Sequence, residues 1–600
     1  MCGIIACARS ADAGRRMVEA LERLEYRGYD SAGIAVPGPD GRAEALRTVL
    51  RVADLSGRLE DWTPVRAATT GIGHTRWATH GEVSLHNAHP HRDCSGRIAV
   101  VHNGVLDNVH ELRRLLEGAG HTLQSETDSE LIAHLVEARL EVGLRGAVEQ
   151  AVSSLRGTWA IVVLDALTGD LVATSRRSPL IVAESEEGVF AASDIGAIAP
   201  WIRQYRVVTD GDVVELNPSQ AWFRDGRPAA PPDLLDCTVV ASDLSHGLYP
   251  DFMAKEIEQQ PDVAAEVLAT WAPSILDGLW PSFSLPVPKH VTVVACGTSL
   301  HAGRVIAQVL AQQSRIPFTA VEASELAATV TPRDSLALVL SQSGETADVL
   351  VALTELRLRG HAVVALTNQA HSALARQADA VMVCHAGPEV GVAATKTFIA
   401  QVVGGVCAVL SLLASERLVA RSDIRRMVRD LERLPEALAH AVGVSRRTVA
   451  GLADTLSEQR GFLFLGRGEG RVFADEGALK LKELTYRWAE SHAAGELKHG
   501  PLALIEQGTP VIAVDDDSAR FAATLAEVAA RGARTITIGG PGTTIPVVAS
   551  HEPGAIAQTI DWLGPIEAVV AMQMLSRELA VSLGRDVDKP RNLAKSVTVE

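Results

Sequence analysis

Two patterns of apolar and polar positions divide the chain. Up to about residue 220, short β-type runs such as Gly3–Cys7 and Arg97–Val101 are interspersed with amphipathic stretches such as Met17–Leu24 and Leu131–Leu140, which predicts an α+β domain. Between Leu216 and Ser245 the chain reads Asn-Pro, Asp-Gly-Arg-Pro and Ala-Ala-Pro-Pro, a density of breakers that marks a linker, placed at 221–250. Beyond it, apolar strands end in Gly- or Ser-rich turns and lead into helices, as parallel βαβ units do. Strands are expected at Val291–Ala295, Leu336–Leu340, Ala362–Leu366, Phe462–Leu465, Val511–Val514 and Thr535–Ile538. The turns that follow them pair up as 296 with 466, 341 with 515 and 367 with 539, offsets of 170, 174 and 172 residues. A near-constant offset predicts a duplicated α/β domain, at 285–425 and 455–590, split by a helical stretch from about Ser415 to Ser457.

Composition narrows the classes. With 600 residues, 47% of them hydrophobic, the chain has room for several cores and no low-complexity tract. Lys and Arg number 56 against 73 acidic residues, and a net charge of −17 argues against a nucleic-acid or anionic-membrane footprint. The seven cysteines are scattered, without CxxC spacing, which fits a reducing cytoplasm. No signal peptide is read at the N-terminus, and the most apolar stretch, Ala400–Ala414, is too short to span a bilayer.

Candidate chemistry begins at the second residue. Removal of the initiator methionine would leave Cys2 with a free α-amine, which can act as base for its own thiol. Alone, such a cysteine more often starts a buried strand. Its company changes the reading: Gly73–Gly81 supplies a guanidinium (Arg76), an indole and a hydroxyl, and His102-Asn103-Gly104 offers a side-chain amide and a backbone N–H suited to an oxyanion. Glu126-Thr-Asp-Ser129 offers acid for an ammonium group, and Arg76 a fork for a carboxylate, so the substrate implied is an α-amino acid. His86, His89 and His91 lack the spacing of a metal site, and no metal is expected.

With Leu24–Gly33, these segments resemble the N-terminal-nucleophile glutamine amidotransferases, in particular the glutaminase domain of the glutamine–fructose-6-phosphate aminotransferase (glucosamine-6-phosphate synthase) family. The resemblance implies an αββα fold over 1–220, with Cys2 as nucleophile and Asn103 and Gly104 as oxyanion hole. It also implies Arg76 and Asp128 on the glutamine carboxylate and amine, Trp77, Thr79 and His80 lining the pocket, and Trp77 as a gate for ammonia.

In the second half, Cys296–Ser299 and Ser341–Thr346 each follow an apolar strand and combine hydroxyls with helix N-termini, the chemistry of a phosphate cradle. Glu476, Lys480 and Glu483 recur at i, i+4 and i+7, one helix face whose charges can tune one another. These stretches and Ala493–Leu502 look like the two sugar isomerase domains of the same family. The resemblance implies that Thr298, Ser299, Ser341, Gln342, Ser343 and Thr346 hold a hexose phosphate. Glu483 would move a proton between C1 and C2, with Lys480 as helper. His499 would assist ring opening from a neighbouring subunit, implying a homodimer. In the tail 591–600, Lys595 would form a Schiff base with fructose 6-phosphate beside Ala594. Ammonia would pass between the sites through an internal channel.

The expected activity is thus glutamine-dependent amination and isomerisation of fructose 6-phosphate to glucosamine 6-phosphate, with no cofactor, nucleic-acid or membrane partner. Ala394 stands where the family has serine, which keeps open a paralogue that aminates another ketose phosphate. Ser491-His492 also departs from the family and carries no functional weight. A sugar-phosphate-sensing protein without activity is the non-enzymatic alternative, disfavoured by the presence of Cys2, Glu483 and Lys595. An amidophosphoribosyltransferase, suggested by Val511–Arg520, lacks the phosphate-cradling residues after Arg520 and leaves the duplication unexplained.

Overall fold

The apolar run that opens the chain becomes an interior strand, Gly3–Ala8, every residue of which is buried. The computed structural model describes residues 2–64, 68–217, 220–333, 335–548 and 560–597. Met1, Pro218 and 598–600, on which expectations above touch, lie outside the described residues. The chain forms two units, one of residues up to Ser245 together with Ala594–Val597, the other His246–Leu593.

In the first unit, Gly3–Ala8 lies between Gly188–Ala192 and Gly71–Arg76 in an antiparallel sheet of eight strands. A second sheet, of seven strands, carries Ile98–Leu106 between Gly157–Asp165 and His91–Arg92. Ile4, Ala6 and Ile72 from the first sheet share a core with Val101, Val162 and Leu164 from the second, so the sheets stack face to face. On its other face the first sheet packs Ile5, Cys7 and Ile34 against Met17, Leu21 and Leu24 of helix Ala13–Leu24. The second packs Ile98, Val100 and Ile161 against Leu112, Leu131 and Leu135 of two helices. Alternation within each strand thus feeds two different cores, and the layers read αββα, the fold class expected.

The stretch 221–250 contains more than a linker. Ala221–Arg224 pairs with both Asp212–Glu215 and Arg227–Pro228, and Leu235–Asp236 joins the edge of the first sheet. Asp225 and Gly226, with φ of 51° and 72°, form the two-residue turn of a hairpin, so the breaker residues there mark strand reversal.

The second unit holds both parallel sheets. The first runs Phe318–Glu322, His290–Ala295, Ser335–Ser341, Ala362–Thr367, Ala380–Val383, and the second Trp488–Ala493, Gly461–Gly466, Pro510–Val514, Arg534–Ile538. Apart from the fifth strand the two orders match, and all six expected strands are present. Helices Arg421–Leu431 and Leu434–Leu456 occupy the stretch between them. The apolar segment read as Ala400–Ala414 is a 20-residue helix, Lys396–Ser415, with a mean hydropathy of 2.1. Its length therefore does not separate it from a membrane span. Its environment does: the apolar window is wholly buried in the second unit's core, against helices Gly297–Ser314 and Gln260–Trp271.

Helix Gly297–Ser314 approaches its sheet closely at Gly303, where a Cβ would come within 2.4 Å of Val293 and 2.9 Å of Leu340. Val293 is β-branched on a central strand and cannot swing aside. Gly303→Val should therefore cost about 1–3 kcal/mol through overpacking, read as an earlier urea midpoint for the second unit with the first unit's transition unmoved.

Candidate functional site

Each unit gathers one set of the expected residues, apart from Ala594 and Lys595, which group with the first unit. In the first, the chain enters strand Gly3–Ala8 with the Cys2 thiol against the segment after strand Gly71–Arg76: Trp77 N–H donates to Sγ at 3.3 Å, and Sγ lies 3.5 Å from the Trp77 carbonyl. Asn103, on strand Ile98–Leu106, donates from Nδ2 to the Cys2 carbonyl at 3.0 Å. Its Oδ1 sits 3.0 Å from His74 Nε2, which also lies 3.0 Å from the His102 carbonyl. Two oxygen acceptors at one ring nitrogen assign the Nε2–H tautomer to His74 and fix which way the Asn103 amide faces. One Nδ2 hydrogen is engaged by Cys2 and the second remains. Gly104 has φ of 139°, and a Cβ there would come within 2.1 Å of the Thr158 carbonyl, so this position admits only glycine.

Arg76 is buried and donates to the carbonyls of His80, Gly81 (3.2 Å) and Glu82 (3.3 Å), which secures the 80–82 turn and leaves Nε–H and one Nη1–H. Asp128 receives the Leu106 N–H at 3.0 Å and the Ser129 hydroxyl at 3.2 Å at the start of helix Ser129–Glu137. Trp77 is half-buried, edge-on to Tyr29 with ring centroids 5.6 Å apart, while Thr79 is exposed and His80 half-buried. Burial pushes the Cys2 thiol up from its ordinary value, with the Trp77 N–H and Arg76 opposing. The resident form is thus a thiol that needs a base.

A layer of imidazoles lies beneath. His74 and His89 stack at 3.9 Å and His89 meets His91 at 4.5 Å. Burial lowers His74 to about 3, and it also lowers His89, His91 and His102. All four rings are neutral in the folded protein at neutral pH.

In the second unit, helix Gly470–Thr485 turns Glu476, Lys480 and Glu483 to one side. Lys480 Nζ is 2.7 Å from Glu483 and 3.5 Å from Glu476, and both Lys480 and Glu476 are buried. Burial pulls the ammonium down, but Glu483 and Glu476 more than restore it, leaving Lys480 above its ordinary value. Glu476 also receives the Thr298 hydroxyl at 3.0 Å and His301 Nδ1 at 2.7 Å, both from the first α/β half. Thr298 therefore has its hydroxyl hydrogen committed to Glu476, and only its backbone N–H is left to face an anion.

The other residues expected to cradle a phosphate sit beyond the C-terminal ends of adjacent strands. Ser299 accepts from Gln401 at 3.1 Å and can still donate. Ser341 and Thr346 share a hydrogen bond at 3.0 Å, Gly344 N–H donates to Ser341, and Glu345 N–H donates to Ser343. The Gln342 carbonyl receives the Asn368 N–H. The Ala394 loop is braced by Glu389, which receives the N–H groups of Thr395 and Thr397 at 3.0 Å each and the Thr397 hydroxyl at 2.7 Å. His499 is exposed at the end of the 3-10 turn Ala494–His499. Ala594 and Lys595 are half-buried and group with the first unit.

Comparison with known proteins agrees with this arrangement. A glutamine amidotransferase domain model matches residues 74–200 and a SIS domain model matches 284–411 and 455–581. A glutamine–fructose-6-phosphate aminotransferase (isomerizing) of Thermus thermophilus is 40% identical over 619 aligned residues, covering 100% of both chains, and one of Streptomyces coelicolor is 40% identical over 621, with the same coverage. The chain belongs to the glutamine–fructose-6-phosphate aminotransferase (isomerizing) family. Among solved structures, the C-terminal domain of glucosamine–fructose-6-phosphate aminotransferase from Francisella tularensis matches with TM-score 0.53 and 30% identity, covering 58% of this chain and 100% of that one.

Within this family member, the sequence reading passed over His74, His301 and Glu389. The signal for His301 was its place three residues after Thr298 on one helix face; His74 and Glu389 act across the fold and leave no local pattern.

Two predictions follow from these charges. Because the four imidazoles titrate below their ordinary 6.5, the unfolded chain binds more protons in mild acid, and stability falls as pH drops from about 6.5 toward 3. Each ring contributes about 1.4 kcal/mol per pH unit inside its window, so urea unfolding should give the first unit an earlier midpoint at about pH 5 than at about pH 7; equal midpoints would mean the rings titrate normally. Glu476→Ala, which removes the acceptor of Thr298 and His301 and leaves Lys480 to Glu483 alone, should cost about 1–3 kcal/mol in the second unit, with Glu476→Gln milder. Since the folded Lys480 value lies above its ordinary 10.5, that contribution is complete below about pH 10.5 and vanishes only as pH rises through the folded value. Thermal unfolding should therefore show the same loss at about pH 7 and pH 9.

Proposed function

We propose that the chain converts glutamine and fructose 6-phosphate to glutamate and glucosamine 6-phosphate, the activity named for its full-length relatives. The observation that carries this reading is the end-to-end match, 40% identity over 100% of both chains, which spans both units. Cys2, with its α-amine freed, attacks the glutamine amide carbon; the amine takes the thiol proton and passes it to the leaving nitrogen as ammonia. The second Nδ2 hydrogen of Asn103 and the Gly104 N–H stabilise the oxyanion, Arg76 meets the substrate carboxylate through its remaining donors, and Asp128 meets the ammonium. Trp77, Thr79 and His80 close the pocket. Water then hydrolyses the thioester to glutamate and regenerates the thiol.

At the second site, the phosphate is held by Ser299, Ser341, Gln342, Ser343, Thr346 and the backbone at Thr298, with His499 assisting ring opening. Lys595, beside Ala594, forms a Schiff base at C2 of the open sugar, and ammonia displaces it to give the C2 imine. Glu483 removes a C1 proton and returns one to C2, which moves the carbonyl to C1 and leaves the amine on C2. The Lys480 ammonium, 2.7 Å away, holds the Glu483 carboxylate in place for this step. Ammonia passes from the first site to the second without release to solvent. A homodimer in the cytoplasm completes the proposal, supported by the exposure of His499 in the single chain and by seven cysteines, none of them in a disulfide.

Amide-¹⁵N glutamine supplied with fructose 6-phosphate should yield ¹⁵N-glucosamine 6-phosphate by mass spectrometry. Cys2→Ala should abolish transfer from glutamine, and Lys595→Ala should abolish sugar amination while glutamate formation persists. If glutamate forms and fructose 6-phosphate is never aminated by the unmodified enzyme, another ketose phosphate is the acceptor. Ala394, which removes a hydroxyl from the braced loop, favours that second reading.

A further inference from the structure

A cluster remote from both proposed reactions has the make-up of a metal centre. Cys94, in the turn between strands His91–Arg92 and Ile98–Leu106, and His121, which follows helix Val109–Gly118, converge on His134 and Glu137 of helix Ser129–Glu137. One ligand atom from each lies within 4.8 Å of all the others. Cys94 Sγ is 3.6 Å from His121 Nδ1 and 3.5 Å from His134 Nδ1. The Glu137 carboxylate is 3.0 Å and 3.3 Å from the same two nitrogens. A tetrahedral zinc with bonds of about 2.0–2.3 Å has ligand-to-ligand edges of about 3.3–3.6 Å, which these separations approach.

All four side chains turn their ligand atoms toward one point. Both Nδ1 atoms face the thiol and the same Glu137 oxygen, which also lies 3.3 Å from the Cys94 backbone nitrogen. A cation at the centre satisfies all four, with the thiol deprotonated and both imidazoles neutral. The surroundings are also those of a metal ligand: His134 is buried, and its far nitrogen, Nε2, lies 3.6 Å from the Glu130 carboxylate. Glu130 is itself held by the N–H groups of Gln124 and Ser125, each at 2.7 Å, and by the Ser125 hydroxyl at 2.8 Å. A carboxylate behind a ligating imidazole raises its basicity as a ligand.

We propose that Cys94, His121, His134 and Glu137 bind a structural Zn²⁺. One thiolate, two imidazoles and one carboxylate select a zinc-like cation over Mg²⁺ or Ca²⁺, and four protein ligands leave no position open for substrate. The expectation of no metal rested on His86, His89 and His91; this site uses different histidines. The ion would tie a hairpin turn and a loop to the helix that begins next to Asp128, six residues and about 9 Å along the axis from His134. Its role would be to hold that helix in register.

The test uses the full-length chain, dialysed against chelator and then titrated with Zn²⁺ and, separately, Co²⁺. Elemental mass spectrometry should give about one Zn²⁺ per chain. The Co²⁺ form should show the intense visible bands of a tetrahedral site with a thiolate charge-transfer band. Cys94→Ser should remove that band, and Glu130→Gln should weaken Zn²⁺ binding by about 10–100-fold. Absence of stoichiometric Zn²⁺ uptake, or a weak octahedral Co²⁺ spectrum without thiolate character, overturns the proposal. The spectrum of the unmodified chain decides the matter should Cys94→Ser fail to fold.

Discussion

The buried carboxylate of Glu476 sets the terms on which the two α/β halves of the second unit associate. A charge out of water is tolerated only when its lone pairs are met by donors. Those donors come from both halves: Thr298 and His301 from the helix after strand His290–Ala295, and Lys480 from Glu476's own helix. Sliding one half against the other would take Thr298 and His301 from the carboxylate, so this interface, which also carries the Arg304–Asp475 ion pair and a Gln312–Glu469 hydrogen bond, acquires a fixed register. Lys480 inherits its position from this arrangement and passes it on, since the ammonium that neutralises Glu476 also lies 2.7 Å from Glu483. The duplication seen in the sequence therefore matters chemically because one copy supplies hydrogen-bond donors to a carboxylate buried in the other.

The first unit solves a different electrostatic problem. Its thiol sits where burial disfavours the thiolate, and the rings beneath it are neutral, so Arg76 and the Trp77 N–H only partly offset that burial. The same dryness makes positioned donors effective, because an N–H that faces no water is unscreened. Neutral His74 has a specific part in this: as an Nε2–H donor it orients the Asn103 amide, whose Nδ2 then faces the Cys2 carbonyl. A charged imidazole could donate as well, but it would add a second buried cation next to Arg76.

Much of this was legible in the sequence because it is local. Six of the nine parallel strands among the described residues could be read from runs of apolar residues ending in Gly- or Ser-rich turns, and the i, i+4, i+7 spacing of Glu476, Lys480 and Glu483 fixed their common face. What could not be read depends on long-range contacts. Asp225-Gly226 marks a chain reversal equally well in a linker or a hairpin; only pairing with Asp212–Glu215 decides between them. The helix Lys396–Ser415 has the length and hydropathy of a membrane span, and its burial comes from neighbours distant in sequence. The Cys94, His121, His134, Glu137 cluster spans three segments, and only the His134 to Glu137 step falls on one helix. Attention to the dense His86, His89, His91 run led away from it.

The substitution at Ala394 gains meaning from its support. Three hydrogen bonds accepted by Glu389 hold Thr395 and Thr397, and all of them come from backbone N–H or the Thr397 hydroxyl, never from position 394. The loop's path is therefore independent of whether residue 394 carries a hydroxyl. Serine and alanine would present the same backbone to a sugar, differing by one donor and acceptor at a half-buried position. A lost hydroxyl in that setting costs the hydrogen bond it would have made, about 0.5–1.5 kcal/mol, and leaves the surrounding geometry intact. The departure thus bears on which sugar is held and how tightly, while the Lys480 and Glu483 pair, anchored through Glu476 on a separate helix, is untouched by it.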